Sequence, residues 1–313
     1  MENLTKSIVI PLDGSKNSLK SLDYLDLIYG PKHNLEVSLL YILPSLPPIL
    51  TDEKTMDRKT RARLAAVKQK NIEMGERILA EGRDLLLNKG FKKESIKVLC
   101  QKMGITVAQD IYYLAKHKRV DTILLTRRGR SDIKTFFMGE VSSRLVEYCR
   151  DCPVWIVDGG IHSKKVLIGV DSSENALRAV EHAAFMLSGT DCKVTLFYTM
   201  RHLRRFIPLE VLEEAAELEE LWQHKAGKEI APYLQRAKIM LLKAGFTEDR
   251  IGTKVVDGTR SAADDILKEA QGNDYETIVL GRRGLSAVKE FFMGSVTTKV
   301  LRCSAGLAIW IVQ

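Results

Sequence analysis

The chain has no apolar run near the roughly 20 residues that a membrane-crossing helix needs. It shows no signal-peptide pattern, because Met1-Glu2-Asn3-Leu4-Thr5-Lys6 leads within a few residues into a strand. The expected location is therefore the cytoplasm. Its six histidines form no metal spacing, and there is one CxxC, Cys149-Arg-Asp-Cys152, where structural zinc needs four ligands. The five cysteines, an odd number, sit mostly in or beside strands, as reduced buried thiols do. Two nucleotide fingerprints are also missing, the GxxxxGK[ST] loop and the dinucleotide GxGxxG.

What is present is a soluble composition, 45% hydrophobic and 28% charged, over 313 residues. That length suits two ordinary domains, each large enough for a core without disulfides or metals. The net charge of +8 is uneven. Residues 1–158 hold 27 Lys and Arg against 20 Asp and Glu, and the rest hold 21 against 20. Much of the excess lies on a helical stretch, residues 54–70. Such a face can meet nucleic acid, anionic lipid or acidic protein, or can simply be solvated. No nucleic-acid motif accompanies it, so nucleic acid is not the expected partner.

Short runs rich in Val, Ile and Leu alternate with helical patterns through both halves. Strands are expected at 7–13, 36–43, 96–101, 120–126 and 154–157, and again at 165–171, 193–200, 251–257, 277–280 and 307–312. Helices are expected at 17–29, 55–88, 106–116 and 141–148, then at 175–187, 211–244, 260–271 and 295–303. Continuous apolar strands are buried on both faces, and helices between them call for a parallel sheet with right-handed crossovers. Asp158-Gly159-Gly160-Ile161-His162-Ser163 is the natural hinge.

The halves repeat each other at an offset of 155 residues, from Gly129 to Gly284 and from Trp155 to Trp310. The first copy has Thr126-Arg127-Arg128-Gly129, nine residues, then Gly139-Glu140. The second has Gly281-Arg282-Arg283-Gly284, nine residues, then Gly294-Ser295. Phe-Phe-Met precedes the later glycine in both, at 136–138 and 291–293. Glycines let the backbone approach a bulky anion. The helix after Gly294 offers unpaired N–H groups and a positive dipole end, a ready phosphate site. Ser295 can cap that helix or reach a phosphate or metal ion. Asp171 ends the first strand of the same half and can hydrogen-bond a ribose if the two strands adjoin. Asp13 and Asp171 can equally cap the helices that follow them.

The spacing Gly-x2-Gly-x9-Gly-Ser, the strand-ending Asp171 and the order of elements resemble the universal stress protein family, over nearly the whole chain. The resemblance implies an α/β fold of two tandem Rossmann-like domains, residues 1–158 and 164–313. Each would be a five-stranded parallel sheet of order 3-2-1-4-5 flanked by helices. It implies ATP as ligand, with Mg2+ an optional companion. Adenine would meet backbone near Thr199, and the ribose would lie near Asp171 and Gly281. Phosphates would lie at Gly284, Gly294 and Ser295, with Arg283 and Val296 as neighbours. It also implies an intramolecular pseudo-dimer through the last strands, where Trp155 and Trp310 are packing or interface residues. A homo-oligomer or a protein partner stays open.

The first half departs from the motif. Thr126 puts a side chain where bare backbone is wanted, and Glu140 puts a carboxylate at the helix start, good for the helix and bad for a phosphate. It is expected to bind ATP weakly or not at all. The paired arginines, 127–128 and 282–283, either clamp phosphate or face water. Glu213, Glu214, Glu217, Glu219 and Glu220 read as a solvated helix face. The leading function is a nucleotide-binding regulator of stress physiology without rapid turnover. A slow ATPase or phosphotransferase is the second reading, with Glu290 the acid inside loop 281–294. A nucleotide-independent module using the basic helix is the third.

Overall fold

The computed structural model describes residues 4–30, 34–50, 56–127, 138–203, 216–284 and 293–313, with Ile207 and Val211. Lys54, Thr55, Arg128, Gly129, Phe136, Phe137, Glu213, Glu214, Glu290, Phe291 and Phe292 lie outside them. Two compact units emerge, one from the described residues between Thr5 and Cys152, the other from Pro153 to Gln313.

The first unit runs β1 (Lys6–Pro11), α1 (Lys16–Tyr29), β2 (Leu35–Leu43), α2 (Arg58–Asn88), β3 (Ile96–Lys102), α3 (Val107–Lys118), β4 (Thr122–Thr126) and α4 (Glu140–Tyr148). Its strands are parallel in the order β3-β2-β1-β4. The second unit begins with β5 (Val154–Val157) and continues β6 (Lys165–Gly169), α5 (Glu174–Leu187), β7 (Lys193–Met200), α6 (Ala216–Lys243), β8 (Ile251–Asp257), α7 (Ala262–Gly272), β9 (Thr277–Gly281), α8 (Ser295–Cys303) and β10 (Ala308–Val312). Its parallel strands lie in the order β8-β7-β6-β9-β10, the 3-2-1-4-5 order expected. The last strand of the first half, β5, is found in this unit, antiparallel to β10 with Trp155 opposite Trp310.

Burial follows position in the sheet. Strands β5 and β10 are buried at every residue, and β9 at all but its last. The edge strands β3 and β8 are mostly open, with Val98 and Val255 exposed, so the expectation of strands buried on both faces fails there. An edge has a neighbour on one side and less helix above it, which removes the cover that central strands enjoy.

Hydroxyl side chains cap α1, α3, α5 and α7. Ser15, Thr106, Ser173 and Ser261 each accept from the N–H three residues on. The caps of α1 and α5 are therefore Ser15 and Ser173, where Asp13 and Asp171 had been alternatives. Each aspartate instead accepts the N–H of its cap serine, at 2.9 and 3.1 Å. Helix α1 closes at Gly30, whose φ of 63° suits a residue without Cβ and whose N–H reaches the Asp26 carbonyl at 2.7 Å.

The 158–163 segment carries hydrogen bonds to the residues before β9. Glu276 accepts the N–H groups of His162 and Ser163 at 2.5 and 2.7 Å, and the Ser163 hydroxyl donates to the Asp274 carbonyl at 2.7 Å. None of the five cysteines is in a disulfide; Cys149, Cys152 and Cys192 are buried, while Cys100 and Cys303 are exposed. Burial pushes the Cys152 thiol well above its ordinary value, which suits packing and not redox chemistry. Residues 58–70 of α2 are exposed except Leu64. Glu217 and Glu220 are exposed too, but Glu219 is not a solvated acid: it accepts the Leu203 N–H at 2.9 Å and lies 2.8 Å from His202 Nδ1. No helix among the described residues is long and apolar enough to cross a membrane.

Candidate functional site

The carboxyl ends of β6, β7 and β9 open onto a cavity of about 470 Å3. The strand register explains who meets there. Gly169 is opposite Phe197, and Ile168 is opposite Val279. Two residues farther on, β6 brings Asp171 level with Thr199, while β9 runs out at Gly281. The chain leaves β6 for β7 on one side and returns to β9 on the other, so the cavity sits where the strand order reverses.

Asp171, Thr199, Gly281, Arg283, Gly284 and Val296 line this cavity. Gly294 and Ser295 are not in its wall. Gly294 is the N-cap of α8, with its N–H on the Arg282 carbonyl at 2.9 Å, and Ser295 is the exposed first residue of the helix. The capping option for Ser295 thus falls to the glycine before it.

Two glycines are required by space. A Cβ on Gly281 would lie 2.8 Å from the Asn175 carbonyl oxygen, because α5 starts directly over the end of β9. A Cβ on Gly284 would run into Asp171 Oδ2, so this carboxylate rests against the loop backbone. Thr199 adds a different signal. It is 8% exposed, and its hydroxyl is buried with no hydrogen-bond partner. Such a group costs roughly 1–3 kcal/mol unless something satisfies it. The hydroxyl belongs to a residue of the cavity wall.

Helix α6 supplies a wall that the sequence did not reveal. Trp222, Lys225 and Glu229 line the cavity, and so does Arg201 just past β7. Trp222 Nε1 donates to the Arg201 carbonyl at 2.6 Å, and the Ser172 hydroxyl donates to Glu229 at 2.7 Å. Burial, with the Glu229 carboxylate nearby, holds the Tyr198 phenol above its usual value. The wall therefore carries three cations, Arg201, Lys225 and Arg283, and two carboxylates, Asp171 and Glu229. A helical pattern shows which residues share a face but not which cavity that face borders, so no sequence signal pointed here.

The arginine pairs divide. Arg283 lines the cavity, but Arg282 is 5% exposed and reaches the Gln313 side-chain oxygen at 3.3 Å. Arg127 is 2% exposed. Neither Arg127 nor Arg282 faces water. Among the described residues no group of three or more His, Cys, Asp and Glu could hold a metal ion. The first unit has its own cavity, about 320 Å3, with Asp13, Thr126, Gly139 and Glu140 in its wall. Glu140 there is mostly exposed and pairs with Arg144 at 2.8 Å.

The family model described as universal stress protein family matches residues 5–158 and again 162–305. A universal stress protein of Methanocaldococcus jannaschii is 25% identical over 159 residues, which is 50% of this chain and 84% of that protein. The crystal structure of a universal stress protein from Archaeoglobus fulgidus superposes with a TM-score of 0.57 at 20% identity, covering 97% of this chain and 95% of that one. A protein from Pseudomonas aeruginosa described as functionally unknown superposes at 0.54 with 18% identity, covering 98% and 92%. These two structures share the fold.

Proposed function

The chain belongs to the universal stress protein family, and from that we propose that its second half binds an adenine nucleotide, ATP first among them, as a regulatory ligand in the stress response. The unsatisfied Thr199 hydroxyl in the wall of the second cavity is the observation that carries the reading. The residues fit such a ligand. Asp171 would accept from the ribose, and the lack of a Cβ at Gly281 and Gly284 lets the loop backbone close in against α5 and the Asp171 carboxylate. Phosphates would lie toward Gly294 and Ser295, where the start of α8 offers free N–H groups, with Arg283, Arg201 and Lys225 as countercharge. Mg2+ would be held through the phosphates, since the described protein groups make no metal cluster.

The two domains are proposed as residues 1–158 and 164–313, coupled through their final strands as a pseudo-dimer within one chain, in the cytoplasm. ATP acts by binding. Hydrolysis is not assigned, and Glu290, the acid that the sequence offered for it, lies outside the described residues.

Gly294→Asp tests the reading. Aspartate is a good N-cap, so the fold should survive while a carboxylate takes the phosphate position. Nucleotide released on denaturing the purified protein should be identified and counted. We expect adenine nucleotide from the wild type and none from the variant; equal release from both would contradict the assignment.

A further inference from the structure

We propose that the first turns of helix α2, residues 58–70, are a binding site for duplex DNA, entering the major groove with cations reaching the phosphates on both sides. No nucleic-acid motif marks this helix in the sequence. Its exposure and the distribution of charge around it carry the proposal.

Helix α2 has 31 residues. From Gly75 on it packs against the sheet, with Gly75, Ile78, Leu79, Gly82 and Leu86 buried. A Cβ on Gly75 would lie 2.6 Å from the Tyr41 ring, and one on Gly82 would lie 2.6 Å from Leu12, so the two surfaces meet closely there. Residues 58–70 differ. Leu64 is their one buried side chain. Asp57 starts the helix by accepting the N–H groups of Lys59 and Thr60 at 2.8 and 2.9 Å. Little apolar burial supports the turns that follow, and like charges one turn apart, as at Lys59 and Arg63, work against them. The fold itself does not ask for this. At the 155-residue offset the counterpart of residues 62–70 is 217–225 of α6, which carries Glu217, Glu219 and Glu220. Those turns are fastened to the chain after β7, through Glu219 on the Leu203 N–H at 2.9 Å and Trp222 on the Arg201 carbonyl at 2.6 Å. A local rule broken in one copy without a gain in packing points to function.

The stretch holds Arg58, Lys59, Arg61, Arg63, Lys68 and Lys70, and no Asp or Glu stands between 58 and 72. The acids Asp52, Glu53 and Asp57 come before it, and Glu73 ends it, taking the Gln69 amide at 3.1 Å. Helical spacing sorts these residues by side. Arg58, Ala62, Ala65 and Gln69 share one face. Lys59, Arg63 and Lys70 flank it on one side, Arg61 and Lys68 on the other, and buried Leu64 lies on the far side. Two flanks of cations about a face of small residues fit a groove with a row of phosphates along each wall. The major groove, about 12 Å wide, admits a helix of about 10–12 Å. The alanines let the helix sink close, and the flanks reach both backbones. A flat anionic surface would engage one flank and leave the other turned away. A membrane helix needs a broad apolar face opposite its cations, and the face between these flanks is alanine, glutamine and arginine. The contacts are to phosphate, so the binding is independent of sequence.

The test is fluorescence anisotropy of a short, labelled, random-sequence DNA duplex titrated with the full chain over a range of salt. With about five phosphates neutralised, affinity should fall on the order of 100- to 1000-fold for a fourfold rise in salt, a logarithmic slope of about −4 to −5. The variants Lys59→Gln with Arg63→Gln, on one flank, and Arg61→Gln with Lys68→Gln, on the other, should each make the slope shallower by about 2. Lys92→Gln with Lys93→Gln, exposed cations beyond the helix, should leave it unchanged. Melting curves check that each variant folds, and the wild-type slope stands even where one does not. No duplex bound at low salt overturns the proposal. So does a flank whose loss leaves the slope unchanged, or a control pair that matters as much as a flank. Single-stranded DNA bound as tightly as duplex would rule out the groove, and anionic vesicles bound in place of DNA would make the helix a membrane contact instead.

Discussion

Thr199, Gly281 and His182 show most plainly how single side chains serve two masters. Replacing Thr199 by Val keeps its shape and removes the buried, unsatisfied hydroxyl. The free protein should gain about 1 kcal/mol of stability while nucleotide affinity falls roughly 5- to 10-fold. Melting curves and titration of one variant check both signs; affinity unchanged would remove Thr199 from the ligand's surroundings. Gly281→Thr copies what the first half carries at Thr126. With the Asn175 carbonyl 2.8 Å from the new Cβ, we expect a loss of roughly 1–3 kcal/mol in denaturant unfolding as well as lost binding. His182 is a neutral acceptor, its Nε2 accepting the Trp155 Nε1–H hydrogen bond at 3.1 Å, and burial lowers its pKa from 6.5 to about 3. The unfolded chain binds a proton there as pH falls below 6.5, and the folded chain does not until about 3. Stability from this residue is complete above pH 6.5 and is lost as pH falls toward 3, by up to about 1.4 kcal/mol per unit. His182→Gln should flatten the slope between pH 6.5 and 5, where most carboxylates are still ionised; an unchanged slope would put its origin elsewhere. At this scale the sequence named Asp171, Gly281 and Gly284, which line the cavity, and Gly294 and Ser295, which do not. It did not name Trp222 or Lys225, because their place in the wall comes from tertiary placement of a helix that reads as ordinary, nor Arg201 just past β7.

Among the elements, the strand pair β5 and β10 stands out. Trp155 and Trp310 stack at 3.6 Å between ring centroids and 4° between planes, and His182 meets both edge-on. Both tryptophans are fully buried, which makes this cluster a large share of the core beneath the pair. Trp310→Ala should cost roughly 3–5 kcal/mol in urea unfolding. A loss below 1 kcal/mol would show that the stack is ornamental. Elements were legible where apolar runs and caps agreed: β5, β7 and β8 fall at the expected residues, and several helices begin one turn or less away. The misses have physical causes. The strand expected at 165–171 ends at Gly169, because Asp171 turns to hold the Ser173 N–H at 3.1 Å. The edge strands are open because nothing in a one-dimensional apolar run tells an edge from a centre.

For the whole molecule the central feature is asymmetry after duplication. The α/β class and the tandem halves were readable from strand–helix alternation and the 155-residue offset, whereas the 3-2-1-4-5 order of the second unit followed only from the family resemblance. The place of β5 was readable only through its family resemblance, since the pairing joins residues far apart in the chain. The second cavity sets Arg201, Lys225 and Arg283 beside its two carboxylates and has Gly281 and Ser295 at the motif, where the first half has Thr126 and Glu140. The most direct measurement is therefore the number of ATP molecules bound per chain at equilibrium, for the wild type and for Gly284→Val. The valine would fill the space against Asp171 in the second cavity alone. The account predicts one ATP per wild-type chain and none for the variant. Two per chain, none per chain, or one that survives the valine would contradict it.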